Sequence, residues 1–96
     1  MIISIARVSI EAAEHDRLFA AWSNMVALDH PPGLVECLLT KTEEQIEVVG
    51  LWQDRNAHDA AVATEGSHPA YRIFDATGTP AEHEVVDVIG HIIVSP

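Results

Sequence analysis

Ninety-six residues, 48% of them apolar and 21% charged, suit one small folded domain spanning 1–96 and exclude a disordered chain. Fifteen acidic against five basic residues, a formal charge of −10, exclude nucleic acid and anionic membrane surfaces as partners, because both are bound by neutralising cations. So apolar a chain of this size buries only a modest fraction of its surface alone, which points to a second copy as cover.

Ile2 to Ile10 reads as a strand, with Ile2, Ala6, Val8 and Ile10 on one face and Ile3, Ile5, Arg7 and Ser9 on the other. Both faces are mostly apolar, so both should be covered. The same segment is interrupted by Ser4 and Arg7 and has no small-residue cleavage site, so it does not read as a signal peptide. No uninterrupted apolar run reaches the roughly twenty residues needed to span a bilayer. A soluble, cytoplasmic protein is the expectation.

From Glu11 to about Leu28 the period becomes helical, with His15, Leu18, Phe19, Trp22, Met25 and Val26 on one stripe. Asp29 to Gly33 ends it. Leu34 to Thr40 and Gln45 to Gln53 read as two strands joined by Lys41-Thr42-Glu43-Glu44. Cys37, inside LVECLL, reads as a small buried hydrophobe.

Asn56, with Asp59 three residues on, resembles a capping box for a short helix over Ala57 to Thr64, which Gly66 stops. Ser67 and Pro69 open a second short helix through Ala76. Glu82 to Val94 reads as one long final strand, and Asp87 on it is the expected partner of Arg7. The order β-α-β-β-α-β is the ferredoxin-like, α+β pattern: an antiparallel sheet with helices on one face. Packing the other face against a second subunit gives a homodimer with a barrel-like core.

IISIARVSI, the LFAAW helix, the return HPPGLVECLL, the strand end VVGLWQD and the stretch SHPAYRIF together resemble the antibiotic biosynthesis monooxygenase domains of the dimeric α/β-barrel superfamily. The resemblance covers nearly the whole chain. It implies a cleft between sheet and helices in which some members oxidise polycyclic phenols to quinones with molecular oxygen and no metal or flavin, while others degrade haem. The haem-degrading pattern wants an Asn on the first strand and a Trp in the helix after the third. Here stand Ser4 and Ser9, and Ala57 to Thr64 contains no Trp, so only His68 matches and haem is disfavoured as a cofactor.

His68, at the start of a short helix, is the candidate base, since a helix N-terminus favours the neutral imidazole and a phenolic substrate must lose its proton. Arg72 and Tyr71, one turn on, are candidates to stabilise a phenolate or peroxide anion. Trp52, Trp22 and Phe19 are candidate walls for a flat aromatic or hydrophobic ligand, with Asn24 and His15 beside them on the first helix. Each also has a plainer reading, as a cap, a surface ion-pair partner or core packing.

No intrachain metal site is visible in the spacing. His83, Asp87 and His91 share a strand face, but at ~3.3 Å per residue neighbours four apart stand about 13 Å from one another. Ligand bonds of about 2.0 to 2.2 Å cannot bridge that. The leading expectation is therefore a cofactor-independent monooxygenase with oxygen as co-substrate. The alternatives are a catalytically silent binding, stress or accessory protein of the same fold, and an isomerase or cyclase acting on a related enol.

Overall fold

A computed structural model describes residues 1–9, 11–27, 30–65, 71–74 and 81–94, with the backbone alone for Glu65, Tyr71 and Arg72. Among these, strands β1 (Ile2–Val8), β2 (Leu34–Lys41), β3 (Ile46–Trp52) and β4 (Glu82–Asp87) form one antiparallel sheet in the order β2-β3-β1-β4. Helices α1 (His15–Val26), α2 (Arg55–Glu65) and α3 (Tyr71–Phe74) complete the ferredoxin-like α+β fold. The 3-10 turn Ala12–Glu14 leads into α1, so the regular helix begins at His15, later than the helical period from Glu11 predicts.

Alternation sets the two sheet faces, because successive strand side chains point to opposite sides. Ile2, Ser4, Ala6 and Val8 of β1 and Ile46, Val48, Gly50 and Trp52 of β3 are buried, in register across the pair. The main core joins Ala6, Val8, Ile46 and Val48 to Leu18 of α1 and to Ile73 and Phe74 of α3. Full burial of a side chain such as Leu18 contributes roughly 1.5–3 kcal/mol relative to exposure. A second cluster joins Ile2 and Trp52 to Ala61 of α2.

The core-facing stripe of α1 is narrower than its apolar pattern. Leu18 is sealed and Ala21, Trp22 and Met25 pack beside it, whereas Phe19 and Val26 are 45% and 48% exposed. The helix rests on the sheet along one line, and residues at the margin of a wide stripe turn outward.

Three further expectations are corrected. The cap of α2 is Asp54, whose Oδ1 accepts from the Ala57 backbone N–H at 2.8 Å; Asn56 lies inside the helix. Arg7 pairs with Glu47 at 3.5 Å and Glu84 at 3.3 Å, not with Asp87, because the β1–β4 register puts Asp87 opposite Ile2 on the helix-covered face. The final strand stops at Asp87 and not Val94, since β1 ends at the same level and offers no further backbone partner. The second cap at Ser67, the stop at Gly66 and the continuation to Ala76 lie outside the described residues.

Candidate functional site

Only two polar side chains are buried among the described residues, Ser4 and His58, and both touch Trp52. Their meeting follows from the register. Ser4 stands opposite Gly50, and Trp52 lies two residues further on the same face of β3. A Cβ at Gly50 would sit 3.0 Å from both Ser4 Oγ and Trp52 Nε1, so the missing side chain lets the indole reach across the strands. Trp52 donates its Nε1–H to Ser4 Oγ at 3.0 Å.

Over this pair lies α2, brought close by small residues. Ala57 and Ala61 pack against the Ile2–Trp52 cluster, and Gly33, in the turn before β2, approaches Ala57 so closely that a Cβ on it would lie 2.4 Å from the alanine methyl. Between the two alanines His58 turns inward, 4% exposed. Its ring stands edge-on to Trp52 with centroids 5.5 Å apart, and Nδ1 meets Asp59 Oδ1 at 2.9 Å. On its other side His83 of β4 stacks at 5.9 Å and 23°.

His83 is the solvent-facing member of the group. Partial burial, and secondly the neighbouring His58, hold its pKa below the ordinary imidazole value, which favours the neutral ring. A neutral imidazole at the rim can accept a proton from a phenol or enol. Asp59, by accepting from Nδ1, fixes the orientation of the imidazole behind it. A longer tie between the same elements runs from Arg55 to Asp87 at 3.8 Å.

The sequence candidates are distributed differently. Trp52 is 2% exposed, so its ring forms a sealed floor and not an open wall. Trp22 packs against the main core and Trp52 belongs to the second cluster, so the two are not brought together as facing walls. His15 and Phe19 meet edge-to-face at 6.3 Å, and His15 borders an open depression with Ala12, Lys41, Thr42 and Glu43. Asn24 is exposed. Tyr71 and Arg72 lie on α3, immediately before the buried Ile73 and Phe74. His68 lies outside the described residues.

His58, His83 and Ser4 were not among the sequence candidates. The legible signal was Gly50-x-Trp52 on one strand face, with His58 in phase with Ala61 on the next helix. Among the described residues no group of three or more His, Cys, Asp or Glu side chains could hold a metal ion. Haem fits these residues poorly: the space beneath α2 is filled by the Trp52 and His58 rings, and His58 is already engaged by Asp59 and His83. Among the described residues no helix is long and apolar enough to cross a membrane.

The same fold is found in solved structures described as antibiotic biosynthesis monooxygenases and in related oxygenase and porphyrin-binding proteins. SnoaB, a cofactor-independent oxygenase from Streptomyces nogalater, superposes with a TM-score of 0.65 at 18% identity over 95% of both chains. A structure described as an antibiotic biosynthesis monooxygenase gives 0.70 at 18% identity, over 94% of this chain and all of that one. A point mutant of MhuD with two manganese protoporphyrin IX molecules bound per active site gives 0.72 at 21% identity, over 98% and 100%. At such identities the likeness carries the fold. No protein-family model and no curated protein matches the chain.

Proposed function

We propose that this protein is a cofactor-independent monooxygenase that oxidises a flat aromatic or polyketide-like phenol to a quinone at the cleft between sheet and helices. The observation that carries the reading is the polar group built into an otherwise apolar core, in which Ser4, Trp52, His58 and His83 run from a sealed floor to a solvent-facing imidazole. Buried polar groups are costly, so such a set is a mark of function. The likeness to SnoaB supports it; the likeness to MhuD shows that the same fold also serves a porphyrin site, which these side chains fit poorly.

The chemistry asked of the protein is modest. Removing the phenolic proton raises electron density at the ring carbon that must reduce oxygen. For an anthrone, one oxygen atom becomes the new carbonyl and the other leaves as water, so no outside reductant is needed. His68 is the proposed base, Arg72 and Tyr71 the proposed stabilisers of phenolate and peroxide anions, and neutral His83 a second proton acceptor at the rim.

The sealed state of Trp52 favours the second reading, a silent member of the fold that binds a small hydrophobic molecule. Oxygen uptake by the metal-stripped protein with a panel of anthrones and quinols separates the two. Uptake above the spontaneous rate that falls in His68→Ala or His83→Ala supports the oxygenase and identifies its base. Ligand-induced quenching of tryptophan fluorescence without enzyme-dependent uptake selects the silent binder.

A further inference from the structure

Among the described residues of α2, the sealed side chains are those of His58 and Ala61, with Ala57 and Val62 half-buried beside them. A helix lying on a sheet is ordinarily held by a stripe of large apolar residues, and alanine brings little area to such a contact. The hold of α2 over Trp52 therefore rests largely on an imidazole, whose charge depends on pH. Trp52 is itself 2% exposed, so a ligand reaches it only if α2 moves.

The imidazole meets its strand neighbour ring to ring. His58 and His83 stack with centroids 5.9 Å apart and planes at 23°, while His58 stands edge-on to Trp52 at 5.5 Å. The β1–β4 register sets His83 opposite Ala6 on the helix-covered face, at the exposed edge strand, where protons arrive from solvent. Among the described residues, the charged groups around the pair are Asp59 and Arg55 on α2 and Asp87 on β4, with Asp59 on His58 Nδ1 at 2.9 Å and Arg55 on Asp87 at 3.8 Å. From β1 and β3 come Ser4 and Trp52, which do not titrate near neutrality. A proton on His83 sets a positive charge against the His58 ring at stacking distance, and a second on His58 makes two like charges there. Partial burial and, secondly, His58 already disfavour the charged form of His83.

We propose that His58 and His83 form a proton-operated latch, which holds α2 closed over Trp52 while both rings are neutral and releases it in mild acid to uncover the Ser4–Trp52 floor. The sign follows from linkage. The closed form favours neutral His83, so lowering the pH through the ordinary imidazole range favours the form with the stack broken, by up to about tenfold per pH unit for each proton taken up. The turn before α2 stays fastened and serves as the hinge, because the Gln53 N–H donates to the Gly33 carbonyl at 2.8 Å and Asp54 caps the helix. The latch works in the same way whether the cleft oxidises its ligand or only binds it.

The test is acrylamide quenching of fluorescence between about pH 8 and about pH 5.5. It uses the full chain with Trp22→Phe, which leaves Trp52 as the reporting indole, with and without His83→Gln. Hydrogen exchange by mass spectrometry, corrected for the intrinsic pH dependence of the rate, is read over the same range on the chain with both tryptophans. The quenching constant is expected to rise about threefold or more toward the acid end, with far-UV dichroism unchanged. Peptides of α2 should exchange faster there and those of β1 should not. With His83→Gln, which keeps a polar side chain but takes no charge, both readouts should stay at their values near pH 8. A Trp52 that remains sealed in acid, or an acid response that survives His83→Gln, overturns the proposal. So does exposure that comes only with loss of dichroism and of protection in β1, since that is unfolding of the whole domain and not release of one helix.

Discussion

The indole N–H of Trp52 and the hydroxyl of Ser4 meet at 3.0 Å with both residues almost fully buried, joining the third strand to the first beneath α2. Ser4→Ala leaves that donor without its partner, and an unsatisfied buried polar group costs about 1–3 kcal/mol. The expected result is a lower urea midpoint at unchanged slope. Gly50→Ala should give a loss of the same kind, because the added methyl crowds both atoms of the bond.

Asp54 and Asn56 offer a direct comparison. Asp54→Ala removes the acceptor that holds the Ala57 N–H, with an expected loss of about 0.5–2 kcal/mol. Asn56→Ala, inside α2, should be neutral or slightly stabilising, since alanine is the better helix former. Equal losses in thermal or urea unfolding would reverse the assignment of the cap.

Gly33 has φ of 87° and its turn touches α2. Gly33→Ala combines an unfavourable left-handed backbone with a clash against Ala57, so the expected destabilisation exceeds the roughly 1 kcal/mol of an ordinary exposed glycine substitution. Ala57→Gly in the same chain should recover part of the loss, which a purely conformational effect would not.

For His83 the sign follows from its lowered pKa. The unfolded chain, titrating near 6.5, binds the proton more readily than the folded one, so stability falls as pH drops below 6.5 toward the folded value. His83→Gln should flatten the difference curve in that window when subtracted from the parent. His58 and Asp59 face the group from α2, so the comparison is repeated in Asp59→Asn, where the dependence on His83 should persist.

Much of the fold was legible because period and turn chemistry are local. Ile2, Ala6 and Val8 alternate, Leu18 and Trp22 recur at helical spacing, and Gly33 marks the return between α1 and β2. The site was less legible. Ser4, Trp52, His58 and His83 come from four separate elements, and no local pattern announces that they meet.

The sequence by itself determined the two-sided apolar strands, the order of elements and the strongly acidic charge, which are properties of neighbouring residues or of simple sums. Only the tertiary structure decided that Asp87 ends β4, that Arg7 turns to Glu47 and Glu84, and that Trp52 is sealed by His58. Those outcomes depend on strand register and on where a neighbouring strand runs out. Both are set by pairing between residues far apart in the chain, which periodicity within one segment does not encode.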